Sequence, residues 1–252
     1  MKRKVLDVSV DAVNLEEASS RILSWAQEAK GRYVCAANVH TVMVAHDDPS
    51  FRAVINAADL VVPDGMPLVW MLRWQGVSGQ ARVYGPDLTL RLCAMAAEQH
   101  IPVGFYGGTV EAVHRLVAHL QRRFPTLQIA YAYSPPFRPL TPVEEGAVRE
   151  EIRQSGARLL FVGLGCPKQE RWMTRQRPHL PVVMVGVGAA FDFLAGLKPQ
   201  APRWMQQLGL EWLFRLVSEP RRLARRYLYH NPRFVVLALY QLWRIREEMQ
   251  KQ

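Results

Sequence analysis

One carboxylate stands where a folded chain commonly places a catalytic group. The segment ADLVVPDGMPLVW puts Asp64 directly after a short apolar run that is typical of a buried strand, and before an apolar helical run. A carboxylate at the end of a strand can accept a proton from an attacking hydroxyl group, or it can cap the helix that follows. These residue types make Asp64 the best single candidate for a catalytic base, with capping as the alternative.

Two more polar side chains belong to turns of the same kind. Asn38 follows the apolar segment RYVCAA, and its amide either caps the next helix or binds a sugar hydroxyl or a phosphate. Arg82, in RVYGPDL, carries a guanidinium suited to a bidentate grip on phosphate or carboxylate, or to an exposed ion pair with Asp87. Both residues are candidates for substrate binding.

Three glycine-rich turns complete the candidate site. They occur in the segments FYGG, VGLGCPKQ and VGVGAAFD, each after a run typical of a strand. Bare backbone N–H groups let an anion or a nucleotide approach the start of a helix closely, although a tight turn alone also favours glycine. The frames GxGxxG and GxxxxGKS or GxxxxGKT are missing, which argues against a dehydrogenase and a Walker A NTPase. The candidate binding residues in these turns are Gly107, Gly165, Gly188 and Asp192.

Metal-binding spacings are missing from the sequence. The seven histidines form no HxH or HExxH pattern, no DxD occurs, and the adjacent Asp47 and Asp48 precede Pro49 as a helix-start pair. We therefore expect no metal cofactor. If the substrate is a nucleotide diphosphate, cationic side chains would have to neutralise the leaving group in place of a metal ion. Three distant cysteines without a CxxC pair favour a reducing cytoplasm.

Alternating strand and helix patterns must position these residues. Up to about residue 196, short β-branched runs alternate with longer segments of helical period. This pattern predicts an α/β domain, residues 1–196, with a mainly parallel sheet flanked by helices. Ligands of such sheets bind beyond the carboxyl ends of the strands, so the candidate residues should meet at one edge. The predicted strands span residues 4–10, 32–37, 60–62, 102–106, 127–133, 157–162 and 182–185.

Helix-start signals fall between the predicted strands. Asn14 followed by Glu17 predicts a reciprocally capped helix over 15–29, and Asp48 followed by Pro49 predicts another helix. Further helices are predicted after Pro86, Thr109, Thr141 and Pro167.

A basic helical appendage, residues 197–252, follows the last predicted strand. Two helices are predicted there, over 204–229 and 234–246. From residue 198 onward, the sequence has eleven Lys and Arg and four acidic residues. This excess of basic residues accounts for most of the net charge of +10. This composition is typical of an interfacial helix on an anionic surface, or of a core-packing helix with a solvated basic face. With no leader and no apolar run of about 18 residues, we expect neither export nor a membrane-spanning helix.

Together these segments resemble the WecG/TagA/CpsF family of bacterial glycosyltransferases, over about residues 38–226. The resemblance is carried by ADLVVPDG, RVYGPDL, GLGCPKQERW, GVGAAFDFLAG and EPRRLARRY, in one order. It implies a Rossmann-like GT-E fold and an inverting, metal-independent transfer from a UDP-sugar. It also implies an acceptor sugar on undecaprenyl diphosphate at the cytoplasmic membrane face, in the synthesis of cell-surface polysaccharide or teichoic acid.

The resemblance also assigns roles to individual residues. Asp64 matches the family's catalytic base, and Asn38 matches an asparagine beside the sugar. Arg82, Gln169 and Glu170 fall on positions that line the donor pocket. The appendage is implied to close over this pocket, with the UDP diphosphate neutralised by Arg215, Arg222 and Arg225.

Three positions depart from the family pattern. Ala36 stands where a threonine is frequent, Ala81 stands where a glutamate precedes the matched arginine, and Gln200 replaces the arginine of an RAP segment. The donor therefore stays open among N-acetylmannosamine, its uronic acid, glucuronic acid and glucose.

Two other functions stay open on the sequence. One is a non-catalytic basic adaptor that binds anionic lipid or nucleic acid, and the other is a dehydrogenase or methyltransferase that uses the glycine turns. The main prediction is a cytoplasmic enzyme peripheral to the plasma membrane. Its predicted partners are a UDP-sugar, a lipid-linked sugar acceptor and an anionic membrane surface, without nucleic acid. Off the membrane, the apolar appendage allows a homo-oligomer.

Overall fold

The computed structural model describes residues 1–250. Its strands are β1 (Lys2–Val5), β2 (Val8–Asp11), β3 (Arg32–Ala37), β4 (Leu60–Pro63), β5 (Val103–Gly107), β6 (Ile129–Tyr133), β7 (Leu159–Gly163) and β8 (Val183–Gly186). The last six form one parallel sheet in the order β4-β3-β8-β7-β5-β6, and β1 pairs with β2 in a separate antiparallel hairpin. This topology confirms the predicted α/β fold.

Helices connect the strands and cover the sheet. They are α1 (Leu15–Glu28), α2 (Val39–Asp47), α3 (Pro49–Asn56), α4 (Met66–Trp74), α5 (Gly85–Glu98), α6 (Val110–Arg123), α7 (Pro142–Gln154), α8 (Lys168–Gln176), α9 (Ala190–Leu194), α10 (Arg203–Gln207), α11 (Glu211–Ser218) and α12 (Pro220–Gln250). None of the helices in the described chain is long and apolar enough to cross a membrane.

Both faces of the sheet are buried, which is why its strands are nearly continuous apolar runs. Neighbouring residues alternate between two apolar clusters, so that Phe105 and Phe161 pack on one face while Tyr106 and Val162 pack on the other. Helices α1, α5, α6 and α9 cover the first face, and α2, α3, α4, α7 and α8 cover the second together with part of α12. The sheet is thus a rigid platform whose carboxyl edge holds the loops.

The predicted helix starts at Asn14 and Asp48 are confirmed. Asn14 and Glu17 exchange side-chain hydrogen bonds with each other's backbone N–H groups, and Asp48 accepts from the N–H groups of Ser50 and Phe51.

The predicted single strand over residues 4–10 is wrong. Those residues form the end of β1, a turn and most of β2, because Leu6 adopts a left-handed conformation with φ of 50° that reverses the chain. A two-residue hairpin turn requires such positive φ values, and it commonly carries Gly or Asn rather than Leu. The alternating pattern of VLDVSV therefore concealed the turn.

The helix boundaries predicted in the appendage are also wrong. The predicted helix over 204–229 breaks at Gly209, with φ of 69°, and again at Glu219, whose φ of −136° and ψ of 59° are not helical. Helices α10, α11 and the start of α12 replace it. The predicted break before residue 234 is missing, because α12 continues through Pro232. An interior proline costs about 3 kcal/mol, but Phe234 and Ala238 are buried against the core just beyond it. Tertiary packing therefore outweighs the local helix breaker.

Candidate active site

The register of the sheet places two predicted residues side by side. Ala37, the last residue of β3, pairs with Pro63, the last residue of β4. Asn38 and Asp64 therefore leave the sheet together, and the Asp64 N–H donates to the Ala37 carbonyl at 2.8 Å. Gly65 follows without a side chain because a Cβ there would lie 3.1 Å from the Asn38 Cβ.

The Asp64 carboxylate does not cap the helix that follows it. Helix α4 has Gly65 at its N-cap without a side-chain hydrogen bond. Instead, Asp64 Oδ1 accepts from the backbone N–H of Gly85, the first residue of α5, at 3.0 Å. The hydrogen bond holds one carboxylate oxygen in place, while the side chain remains partly accessible from a cavity. This arrangement suits an oriented proton acceptor.

The Asn38 amide can both cap a helix and bind a ligand. Its Oδ1 accepts from the N–H groups of His40 and Thr41, so it does cap α2. Capping uses only the carbonyl oxygen, and the amide NH₂ keeps its donors for a ligand. Because Asn38 lines the same cavity as Asp64, it can serve both purposes.

Arg82 links the catalytic candidate to the appendage. Its Nη2 lies 2.7 Å from Glu211 Oε2 and 3.8 Å from Asp64 Oδ1, and its Nε donates to the Asp64 carbonyl oxygen. The guanidinium also lies 4.0 Å above the Tyr84 ring. Burial lowers the pKa of Arg82, but Asp64 and Glu211 outweigh it and raise that pKa above its usual value. The proposed exposed pair with Asp87 does not form, since Asp87 faces Arg203 at 3.5 Å.

A polar cavity of about 380 Å³ opens at this edge of the sheet. Most of the predicted residues line it, although they come from the ends of four different strands and from the appendage. The predicted residues in its lining are Asn38, Asp64, Gly165, Gln169, Glu170, Gly188, Asp192, Arg215 and Arg222.

Gln169 holds two of the glycine turns together. Its Oε1 accepts from the backbone N–H of Gly165 at 3.2 Å and from that of Gly188 at 3.1 Å. Its Nε2 donates to Glu170 Oε1 at 2.9 Å. Glycine at position 186 leaves room for this arrangement, because a Cβ there would lie 2.8 Å from Met173 Cε and 3.0 Å from that nitrogen. Gln169 therefore shapes the floor of the polar cavity.

Gly107 lies behind the lining rather than in it. Its φ is 124°, and a Cβ would lie 2.6 Å from the backbone of Gly163, so glycine is required for the close approach of β5 and β7. The neighbouring Gly108 reaches the polar cavity instead. Gly107 and Gly108 lie in the same turn, so the sequence alone could not show which of them faces the polar cavity.

A chain of three ionic contacts begins at Asp192 of α9 and continues through the appendage. Lys198 Nζ lies 2.7 Å from Asp192 Oδ2 and 3.4 Å from Glu219 Oε2, and Glu219 in turn forms a bidentate pair with Arg222. Sequence reasoning missed Lys198. It is the first basic residue after the last sheet strand, and this position is the signal that could have found it.

The arginines of the appendage differ sharply in their surroundings. Arg215 and Arg226 line the polar cavity, and neither forms an ion pair with a carboxylate of residues 1–248. Their Nε atoms are buried without a hydrogen-bond partner in that part of the chain. Burial lowers the pKa of Arg226 from its usual value. Both side chains are half-buried. Cations that are partly removed from water without a carboxylate partner are costly, so this arrangement favours an anionic ligand.

Arg225 is exposed and lies outside the polar cavity. Arg226 lines the polar cavity, as had been predicted for Arg225. The signal for Arg226 is its spacing of four residues from Arg222, next to the buried Leu223 and Tyr227, which marks the face of α12 turned toward the protein.

The burial of Glu170 predicts that the stability of the folded protein depends on pH. Its side chain is fully buried, its Oε2 has no partner among the residues described, and burial raises its pKa above the usual value. The folded state therefore retains the proton above the pH at which the unfolded state releases it, and stability falls as pH rises through that window. Glu170→Gln, which mimics the protonated acid, should raise Tm by a few degrees at pH 8.

Thermal unfolding of both proteins from pH 4 to pH 8 checks this prediction. The difference in Tm should be small at pH 4, where both states of the wild type are protonated, and should grow with pH. A difference that does not vary with pH would show that folding does not raise the pKa of Glu170.

Among residues 1–248, no group of three or more His, Cys, Asp or Glu side chains is placed to hold a metal ion.

Comparison with known proteins identifies the family of this chain. The model of the glycosyl transferase WecG/TagA/CpsF family matches residues 3–248. A protein of Bacillus spizizenii, named N-acetylglucosaminyldiphosphoundecaprenol N-acetyl-beta-D-mannosaminyltransferase, is 30% identical over 217 residues, which cover 86% of this chain and 82% of that protein. With a family match over nearly its whole length, the chain belongs to the WecG/TagA/CpsF family and is a glycosyltransferase.

Proposed function

We propose that the enzyme transfers N-acetylmannosamine from its UDP derivative to N-acetylglucosamine on undecaprenyl diphosphate. The acceptor and the sugar follow the name of the Bacillus spizizenii relative. The observation that carries the proposal is the oriented carboxylate of Asp64 beside a cavity lined by Arg215 and Arg226, two cations without a carboxylate partner among residues 1–248. A proton acceptor next to an anion site is what a sugar transfer from a nucleoside diphosphate requires.

The proposed reaction is a single displacement. The acceptor hydroxyl attacks the anomeric carbon as Asp64 takes its proton, and the bond from that carbon to the UDP oxygen breaks with its electron pair on UDP. Attack opposite the leaving group inverts the anomeric configuration. Arg215, Arg222 and Arg226 stabilise the charge that develops on the diphosphate, and this role replaces a divalent metal in the proposal.

We also propose that the enzyme works at the inner face of the membrane. Large apolar side chains are exposed on α4 and throughout the appendage, among basic residues. Such a combination favours an interface between water and anionic lipid. The members of this surface include Trp70, Trp74, Trp204, Val217 and Trp243.

A donor panel tests the proposed function. UDP release is measured with vesicles that contain the lipid-linked acceptor, using UDP derivatives of N-acetylmannosamine, N-acetylmannosaminuronic acid, glucuronic acid and glucose. We expect release from the N-acetylmannosamine donor that requires the acceptor. A clear preference for another sugar would overturn the donor assignment. Failure of every donor, with no binding of UDP by the folded protein, would favour a non-catalytic adaptor.

A further inference from the structure

A second cavity, with a volume of about 630 Å³, is also lined by Asp64. We name it the apolar cleft. One wall is α4, with Met66, Trp70 and Trp74, and the opposite wall belongs to α11, α12 and the segment before them. The apolar side chains of that opposite wall are Leu208, Leu210, Trp212, Tyr227, Phe234, Val235, Ala238 and Leu239.

The apolar cleft and the polar cavity meet at charged residues. The charged residues that line both of them are Asp64, Glu211, Arg215 and Arg226. Glu211 is neutralised by its 2.7 Å pair with Arg82, which lines the apolar cleft but not the polar cavity. His40 also lines the apolar cleft, but burial, reinforced by Arg226, lowers its pKa to about 3, so it is neutral at pH 7. The charge is therefore concentrated at the inner end, and the walls that lead outward are apolar.

We propose that the apolar cleft binds the first isoprene units of the lipid-linked acceptor. The inference rests on the proposed function and assigns the acceptor's chain to a defined surface. With the acceptor sugar at Asp64, Arg215 and Arg226 line both cavities and would be shared between the acceptor diphosphate and the donor diphosphate. The acceptor's chain then leaves along α4 and α12, and the donor occupies the polar cavity.

The chemistry of the walls selects this occupant. An isoprenoid diphosphate has an anionic head and an apolar, branched chain, which match the cationic inner end and the apolar walls in the same order. The volume lies within the range of about 300–1,000 Å³ that is typical of small-molecule sites. A peptide would bring N–H and C=O groups that need partners, and the apolar walls offer few.

The outer end of the apolar cleft reaches the surface proposed to face the membrane. Trp70, Trp74 and Leu239 line the cleft and are all more than a third exposed. Gly209 brings the two walls together, because a Cβ there would lie 2.6 Å from the Trp70 ring. A chain held between these walls would pass from the site to lipid without crossing water.

Matched double variants on α12 test the proposal. Val235 and Leu239 line the apolar cleft, whereas Val236 and Tyr240 have similar exposure on the same helix and do not line it. The variants are Val235→Gln with Leu239→Gln, and Val236→Gln with Tyr240→Gln as the control. The acceptors are the methyl and farnesyl esters of N-acetylglucosaminyl diphosphate, used in solution without vesicles, so that membrane binding does not contribute.

The readout is the ratio of kcat/KM for the farnesyl acceptor to that for the methyl acceptor. We expect a ratio above about tenfold for the wild type and the control, corresponding to roughly two buried methylene groups, and a ratio near one for the cleft variant. Equal ratios in all three proteins would overturn the proposal, as would a loss of the ratio in the control as well.

If neither acceptor is glycosylated, the proposed function fails and the cleft is tested separately. Farnesyl diphosphate alone is then titrated calorimetrically against the three proteins. Binding to the wild type and the control, but not to the cleft variant, would still support an isoprenoid site. Absence of binding to the wild type would overturn it.

Discussion

Asp64→Asn should lower the rate of sugar transfer by about 10²- to 10⁴-fold, the usual contribution of a positioned general base. The asparagine side chain keeps the shape of the carboxylate, and its oxygen can still accept from the Gly85 N–H, whose bond to Asp64 measures 3.0 Å. It cannot take a proton from the acceptor hydroxyl. The fold and the binding of UDP should therefore persist while turnover is lost.

Initial rates of UDP release, with calorimetric binding of UDP to the same samples, measure this separation. Asp87→Asn is the matched control, because Asp87 lies on the nearby α5 but pairs with Arg203 and lines neither cavity. Its rate should match the wild type. Turnover by Asp64→Asn within a few-fold of the control would remove Asp64 from the role of base.

Arg226→Ala is expected to produce the second large effect, a loss of about 10²- to 10³-fold in kcat. Its side chain is half-buried, with a buried Nε, and lines the polar cavity without a carboxylate partner in residues 1–248. A cation in such surroundings interacts with a leaving diphosphate more strongly than it would in water. The affinity for UDP should fall as well, because UDP carries the same charge.

Arg225→Ala provides a control at the adjacent position. It removes the same charge from the same helix, but Arg225 is exposed and lies outside the polar cavity. Both variants are compared by kcat and by the Kd for UDP. If the two variants lose activity equally, the effect comes from the net charge of the appendage rather than from a contact with the diphosphate.

The central part of the fold could be predicted from the sequence because each strand is a short apolar run bounded by turn residues. The predicted strand over 32–37 is confirmed residue for residue, and the ends of the other five strands of the parallel sheet are confirmed within one or two residues. Parallel sheets present their carboxyl ends at one edge. This rule alone brought Asn38, Asp64, Gln169 and Gly188 together without knowledge of their distances.

The appendage could not be predicted to the same depth. Its helices begin and end where packing requires it, as the passage of α12 through Pro232 shows, and local helix signals do not report packing. Which face of α12 turns inward also depends on the break at Glu219. Because the predicted helix had no break there, Arg225 was predicted to line the polar cavity instead of Arg226. The partnership of Arg82 with Glu211 spans 129 positions, so no local pattern contains it.

The anomeric configuration of the product tests the central claim most directly. The enzyme is supplied with UDP-N-acetyl-α-mannosamine and the lipid-linked acceptor, and the new glycosidic bond is examined by NMR through its one-bond carbon–hydrogen coupling. A single displacement assisted by Asp64 predicts a product that is β-configured. An α-configured product would require a covalent intermediate or front-face attack, and it would contradict the role that this account gives to Asp64.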